Sequence, residues 1–283
     1  MNAQDTSSRA DAGPSIFQDT MAEMTYPEVE AAIARGAIAL WSMGVIEQHG
    51  PHLPTGTDVY IPSARLRAVK RQLAAQGIEA IIIPPFYWGV NFVSASFPAS
   101  IKVRAEVMIE LLCDVVKSMA DDGVKRLFCV SGHNDRAHNE AIYQAMRKAS
   151  AQTSAQACFI CEEAIARRLG IALDAPAVLP FHVPPEQPPG PFLDIHAGEW
   201  ETSVVQAFHP GVVRQELLPG LVPTNLGPDD LAEWRKGFEA SRRVTPLGYF
   251  GDPAAASAER GRRSIEREAE AIVQVLRERL AAA

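Results

Sequence analysis

The sequence predicts an α/β protein in which helices cover both faces of a mostly parallel β-sheet. Short apolar runs typical of buried strands alternate with longer segments of helical periodicity. Polar side chains follow directly after two of these runs, at the strand ends where such sheets bind ligands. The chain has 283 residues, enough to bury a large core, and we expect a single domain over residues 21–283.

Four apolar runs predict the strands of the sheet: 37–46, 80–83, 125–130 and 157–161. The second run is expected to end at Pro84-Pro85, since proline cannot donate to a strand ladder. Cys158 and Cys161 have the spacing of a redox or zinc motif, but no second such pair completes a four-sulfur zinc site. We therefore interpret them as residues of a buried strand.

Segments of helical periodicity predict helices over residues 26–35, 58–76, 104–121, 139–150 and 254–281, the last on the outside of the molecule. Residues 179–191 (LPFHVPPEQPPGP) contain too much proline for a helix or a regular strand. A loop of this length is a linker or a lid, and we favour a lid because residues 194–208 resemble a continuation of the same domain.

Composition narrows the class of partner. The net charge is −7, and no long basic run occurs, which argues against nucleic acid or an anionic membrane as the partner. Residues 1–20 are polar, are predicted to form a disordered tail, and lack the basic start and apolar core of a signal peptide. Nothing in the cysteine usage demands disulfides, so a reducing cytoplasm is the expected location.

The first polar cluster follows the first strand. Glu47 and His49 are two residues apart, which places both side chains on one side of an extended segment. Asp58 lies at the expected start of the next helix, and a turn could return it over the strand end. One histidine with two carboxylates suits zinc or manganese. Alternatively, Asp58 caps its helix and Glu47 forms a surface salt bridge.

Two further clusters have a similar composition. His133 follows the third strand, with Asp135 two residues later. His196 and Glu199 are three residues apart, so on a helix they would share one face. Each cluster taken alone also fits loop polarity or a capped helix start.

Together these segments resemble the motifs of the creatininase family, in unbroken order from about Tyr26 to the C-terminus. The matching segments are Glu47-Gln48-His49-Gly50-Pro51-His52 with Gly56-Thr57-Asp58, Gly132-His133, His196-Ala197-Gly198-Glu199 with Glu201-Thr202-Ser203, and Gly251-Asp252-Pro253. The resemblance implies a three-layer α/β/α sandwich, two zinc or manganese ions and a homo-oligomer, often a hexamer. It also implies hydrolysis of a linear or cyclic amide of a small metabolite by a metal-bound hydroxide.

The resemblance also implies which residues hold the metals. Glu47, Asp58 and His133 would hold one ion, and His49 with the shared Asp58 would hold the other. One more carboxylate is needed for the second ion, and both Asp135 and Glu199 match positions that relatives use. We favour Glu199 slightly, because an aspartate reaches one methylene less far than the glutamate it would replace.

The expected catalytic residues are His196 and Glu199. By the family pattern His196 faces the metals, and an imidazole that titrates near neutral pH can protonate a leaving nitrogen. Its alternative role is to orient the substrate.

Two departures from the family pattern border the expected substrate site. Many members have Gly-His-Gly-Gly-Asn where this chain has Gly132-His133-Asn134-Asp135-Arg136, and many have a histidine where Ser96 stands. We therefore expect the metal chemistry to be kept and the substrate to differ. The candidate substrate-binding residues are Trp88, Ser96 and Arg136; Arg136 could pair with a substrate carboxylate or could be a plain surface charge.

Three other functions compete with amide hydrolysis. The same centre could hydrolyse a lactone or a formamide. Alternatively, the altered second motif could belong to a catalytically silent relative that binds a metabolite or a partner protein. A nucleotide-binding protein ranks last, because no glycine-rich phosphate loop follows a predicted strand.

Overall fold

The computed structural model describes residues 15–186 and 192–282, in which five strands form one sheet between two layers of helices. The strand order is β2-β1-β3-β4-β5, and every neighbouring pair is parallel. The predicted parallel sheet covered by helices is therefore confirmed. The strands are β1 Ile38–Met43, β2 Ala80–Phe86, β3 Arg126–Ser131, β4 Gln156–Glu162 and β5 Val178–Phe181.

Helices cover both faces of the sheet and bury two separate apolar cores. Helices α1, α3, α4 and α5 contribute to one core, while α2, α6 and α9 contribute to the other; α7 and α8 lie in a further short segment. Their bounds are α1 Tyr26–Ala34, α2 Thr57–Ala74, α3 Ala105–Asp121, α4 Arg136–Gln152, α5 Glu163–Leu169, α6 Glu199–Phe208, α7 Pro228–Trp234, α8 Glu239–Val244 and α9 Ala258–Ala281.

Alternate residues of each strand enter opposite cores, as the two-residue period of a strand requires. Cys129 packs into the core under α3 and α4, whereas the neighbouring Phe128 packs into the core under α2 and α9. Cys158 and Cys161 are three residues apart on β4, so they also lie on opposite faces. Both are buried free thiols, which confirms their interpretation as strand residues.

Prolines do not end the edge strands where the sequence led us to expect. β2 continues through Pro84-Pro85 to Phe86, and β5 includes Pro180, although residues 179–191 were predicted to be a loop. Both strands lie at an edge of the sheet, where a missing backbone donor is tolerated. Residues 187–191 of the expected lid lie outside the described residues, and lid movement stays a prediction.

Other boundaries differ because polar caps set the helix starts. α4 begins three residues earlier than predicted, since the Asp135 carboxylate accepts the Ala137 backbone N–H at its N-cap. α9 begins at Ala258, behind the N-cap Ser257. The expected tail is only partly described: residues 1–14 lie outside the described part, whereas Thr20 is buried and caps a short 3₁₀ helix.

Two close backbone contacts bring α2 against the strand ends. A Cβ on Gly44, just after β1, would lie 2.1 Å from the Asp58 carbonyl oxygen, and one on Gly132, just after β3, would lie 2.3 Å from it. Only glycine permits this approach at either position. The first turn of α2 is thereby held above the carboxyl ends of two neighbouring strands.

Within the described ranges, no helix is both long and apolar enough to cross a membrane.

The crossing of α6 and α9 generates a stability prediction. A Cβ on Gly261 of α9 would lie 2.1 Å from the Ser203 carbonyl oxygen of α6. We expect Gly261→Ala to lower the free energy of unfolding by about 1–3 kcal/mol, because the helices must separate. Denaturant unfolding measures this change.

Gly220→Ala is the matched control, since a Cβ there meets no atom within 4 Å. Because Gly220 ends a short 3₁₀ segment and an added Cβ would be uncrowded, Gly220→Ala should change the free energy of unfolding by no more than about 0.5 kcal/mol. A Gly261→Ala protein at least as stable as the wild type would contradict the proposed crossing.

Candidate metal centre

Acids and imidazoles converge beyond the carboxyl ends of β1 and β3. Glu47 and His49 follow β1, His133 follows β3, and Asp58 lies in the first turn of α2. A further carboxylate comes from Glu201, in the first turn of α6. All five residues are buried, and the two helix N-termini favour the negative charge of Asp58 and Glu201.

Asp58 lies between two imidazoles. The Nδ1 atom of His133 is 3.0 Å from Oδ2 of Asp58 and 2.9 Å from Oε2 of Glu47. On the other side, Nε2 of His49 is 3.2 Å from Oδ1 of Asp58 and 3.7 Å from Oε2 of Glu201. The Asp58 carboxylate therefore belongs to two sets of potential metal ligands. Each set consists of one histidine and two carboxylates, one of which is Asp58.

Backbone contacts fix how two of these side chains are presented. A carbonyl oxygen accepts only, so the 3.0 Å contact between Nδ1 of His49 and the Glu47 carbonyl requires the hydrogen on Nδ1. In the neutral ring, the lone pair of Nε2 then faces the carboxylates. Oε2 of Glu201 accepts the Ala197 backbone N–H at 2.6 Å. Such supports are typical of metal ligands.

The donor atoms fit a divalent cation. Oε2 of Glu47, Oδ2 of Asp58 and Nε2 of His49 are buried and, apart from the imidazole–carboxylate contacts within the cluster, have no hydrogen-bond partner among the described residues. Burying such groups unpaired is costly. The sets Glu47–Asp58–His133 and His49–Asp58–Glu201 each offer ligand atoms within 4.8 Å of one another. Nitrogen and carboxylate oxygen donors of this kind suit zinc or manganese.

The charges of the side chains in the cluster also favour binding of a cation. Burial lowers the pKa of His49, but the charges of Asp58, Glu201 and Glu47 outweigh it and raise the pKa to about 10. Burial raises the pKa of Glu201 to about 7, against the attraction of His49. The centre therefore takes up positive charge, as protons or as a metal ion that displaces them.

The third carboxylate of the cluster is that of Glu201, which differs from our sequence-based choice of Glu199 or Asp135. Glu199 points to the side of α6, where its carboxylate accepts from Ser203 at 3.0 Å and Arg260 at 2.8 Å. Asp135 accepts the backbone N–H groups of residues 92, 93 and 137. Neither carboxylate lies in the cluster, so the structure gives no support to Glu199 as a catalytic residue or to either as a ligand, and Glu201 becomes the candidate for the last ligand.

A carboxylate before α6 explains why Glu201 points inward. Asp194 accepts the Glu199 N–H at 2.7 Å and the Trp200 N–H at 2.9 Å, which fixes the helix start. Residues two apart on a helix differ by roughly 200° in direction, so Glu199 and Glu201 face opposite ways. Glu201 could have been predicted from the sequence if the helix had been expected to begin at residue 199 and not before His196.

His196 precedes α6, so it does not share a helix face with Glu199 as we had expected. Its backbone bonds with Phe250 hold it against the loop that leads to α9. The side-chain Nε2 lies 2.8 Å from the Gln48 carbonyl oxygen and 3.0 Å from the Gln48 side-chain amide nitrogen, and the ring centroid lies 4.3 Å from that of His49. His196 therefore borders the cluster, and its catalytic role stays a prediction.

A cavity of about 530 Å³ opens over the cluster. Its apolar wall is formed by Phe92, Val93, Ile195 and Trp234. Arg136 lines this cavity, but the other two candidate substrate-binding residues do not. Ser96 donates to the Phe238 carbonyl at 3.0 Å, and the Trp88 ring packs against that of Tyr87 with their centroids 4.8 Å apart.

A family model described as creatinine amidohydrolase matches residues 22–276. The chain belongs to the creatininase family. It is 31% identical over 225 residues to the mycofactocin precursor peptide peptidase of Mycobacterium ulcerans (strain Agy99), covering 78% of this chain and 77% of the relative. It is 25% identical over 276 residues to creatinine amidohydrolase of Pseudomonas putida, covering 90% and 95%.

The solved structures show the same fold. A manganese form of creatininase superposes with a TM-score of 0.68 at 22% identity, covering 92% of this chain and 98% of that one. The expected creatininase-like α/β/α fold is confirmed. The chain is thus a creatininase-like amidohydrolase, an enzyme of the hydrolase class, with residues placed to bind metal.

The position of Glu201 predicts how metal binding responds to substitution. Glu201→Gln should weaken binding of the second divalent ion by more than the roughly 10–100-fold that loss of an outer-shell partner costs. Calorimetric titration with Zn²⁺ or Mn²⁺ measures the change. Glu199→Gln, two residues away on the same helix, is the control and should bind metal like the wild type; a reversed pattern would restore Glu199 as the ligand.

Proposed function

We propose that this enzyme hydrolyses a C–N amide bond of a small molecule or short peptide in the cavity above the centre. The observation that carries the proposal is the sharing of buried Asp58 between two imidazole–carboxylate sets, next to a cavity of about 530 Å³. Relatives named for creatinine and for a precursor peptide support cyclic and linear amides as the substrate class.

The proposal includes two divalent ions, Zn²⁺ or Mn²⁺. Glu47, Asp58 and His133 would hold one, while His49, Asp58 and Glu201 would hold the other. A manganese form and a zinc–zinc form of creatininase are among the similar structures. Bound ions would polarise the amide carbonyl and make an attacking water more acidic.

His196 is the proposed proton carrier. Burial and the nearby His49 lower its pKa to about 4, so the ring is neutral at neutral pH. In the proposed tautomer the Nε2 hydrogen is donated to the Gln48 carbonyl, and the lone pair is then on Nδ1. Nδ1 can accept the proton that the attacking water gives up and pass it to the leaving nitrogen.

A homo-oligomer, with a hexamer as the form that the family resemblance implies, is also part of the proposal, as is a cytoplasmic location. Four buried free thiols are compatible with a reducing compartment. Light scattering after gel filtration tests the subunit number.

Metal removal tests the proposed function as a whole. Dialysis against a chelator should abolish hydrolysis, because the buried carboxylates then lack the cation they share. Adding back Zn²⁺ or Mn²⁺ should restore it. The assay panel contains cyclic amides, linear peptides, formamides and lactones. Hydrolysis of lactones alone, or purified protein without metal and without turnover, would overturn the assignment.

His196 generates a separate prediction. His196→Ala should retain its metal ions but lower kcat by roughly 10²–10⁴-fold, because the proton transfer to the leaving nitrogen is lost. Elemental analysis measures the metal, and steady-state kinetics on the best amide of the panel measures kcat. Loss of kcat for amides with good leaving groups should be smaller, as these need less protonation. Full turnover in the variant would refute the proton-transfer role.

A further inference from the structure

Three arginines line the cavity that opens over the metal centre. Arg136 lies at the start of α4, Arg168 near the end of α5, and Arg235 directly after α7. They come from three separate segments, and two of these segments lie more than 60 residues apart along the chain. Their meeting on one wall therefore arises from the fold and not from a local basic run.

Two of these guanidinium groups have no acidic partner. Arg136 is paired with Glu140 at 2.7 Å. Within the described ranges, no carboxylate oxygen lies within 4.0 Å of a side-chain nitrogen of Arg168 or Arg235. The nearby Asp135 carboxylate already accepts three backbone N–H groups. We refer to Arg168 and Arg235 as the arginine pair.

Arg168 is held in place and partly buried. Its Nη2 donates to the Asn134 carbonyl at 2.8 Å, while its own carbonyl accepts from Nη1 of Arg136 at 2.8 Å. Its Nε is buried and has no hydrogen-bond partner among the described residues. Burial and the charges of Arg235 and Arg136 lower the pKa of Arg168, against the attraction of Asp135. An anion placed there would relieve this repulsion.

Arg235 is anchored through the residue before it. The Trp234 indole N–H donates to Thr245 at 3.0 Å, and the ring centroid lies 5.8 Å from that of His196. The exposed Arg235 side chain therefore extends from a backbone position fixed beside the proposed proton carrier. The apolar wall of the cavity lines the same space.

A second cavity, of about 560 Å³, also borders His196 and Glu201, but the arginine that lines it is paired with a carboxylate. Arg65 there donates to the buried Glu268 at 2.6 Å and to the Ser131 carbonyl at 3.1 Å. Glu162 adds another carboxyl group to this cavity. An anionic substrate group is thus attracted to the side of the arginine pair.

We propose that the arginine pair binds a carboxylate of the substrate, so that the preferred substrates are amides that carry a free carboxylate. The planar fork of a guanidinium matches a carboxylate with two parallel hydrogen bonds. The inference rests on the proposed amide hydrolysis and specifies which amides are taken.

Matched substrates test the inference on the metal-loaded enzyme. N-acetylalanylphenylalanine is compared with its C-terminal amide. In this pair the acid carries its carboxylate on the leaving side of the amide bond. Succinyl phenethylamide is compared with butyryl phenethylamide, which places it on the acyl side. In the wild type, one of the two charged compounds should have a kcat/KM roughly 10–100-fold above that of its neutral partner, mainly through KM.

Arg235→Gln should remove most of this preference by lowering kcat/KM for the charged compound far more than for its neutral partner, whereas Arg235→Lys should retain part of it. Arg168→Lys probes the second member while keeping a charge beside Asn134. Arg167→Gln is the matched control, because Arg167 pairs with Glu163 at 2.9 Å and does not line the cavity. Equal kcat/KM for charged and neutral compounds, or a preference that survives Arg235→Gln, would overturn the inference.

Calorimetric binding of both matched pairs, each as the acid and its neutral partner, separates this test from the proposed function. If no amide is hydrolysed, the proposed function fails, and tighter binding of the acid in the wild type than in Arg235→Gln would still support the arginine pair. If the compounds are hydrolysed but the acid and its neutral partner bind equally well in both pairs, the inference fails while the hydrolase assignment stands.

Discussion

The electrostatic repulsion among Glu47, Asp58 and Glu201 is the constraint on which the site depends. Three buried carboxylates within one cluster are stable only with compensating positive charge. The fold supplies part of it through the N-termini of α2 and α6, whose backbone dipoles point at Asp58 and Glu201. The remaining positive charge must come from protonated imidazoles or bound cations, so the centre is suited to bind a metal ion.

Close backbone packing keeps these charges together. α2 can approach the strand ends because Gly44 and Gly132 lack a Cβ, and α6 is held by Gly261 of α9. Asp194 lies between Gly198 and Gly251, where a Cβ on either glycine would strike its carboxylate. The candidate metal ligands lie far apart in sequence. Contacts outside the cluster itself therefore fix their positions.

The sequence predicted most of the centre but not all of it. Glu47, His49 and His133 were predictable because apolar runs mark the strand ends from which they follow. Glu201 was missed because its direction depends on where α6 begins, and that start is set by the Asp194 side chain across a glycine. Arg235 was missed for a related reason: α7 is seven residues long and has too few turns to show a period.

The departure from the common second motif affects the cavity wall more than the metal ligands. His133 keeps its place in the cluster, whereas the next three residues organise the side that faces the substrate. The Asn134 carbonyl holds Arg168, Asp135 holds the backbone of residues 92 and 93, and Arg136 holds the end of α5. Replacement of Gly-Gly-Asn by Asn134-Asp135-Arg136 would thus leave the hydrolytic centre intact while changing the wall of the cavity. Such a division, with ligands on strand ends and specificity on the following loop, lets substrate choice change without rebuilding the charge balance beneath it.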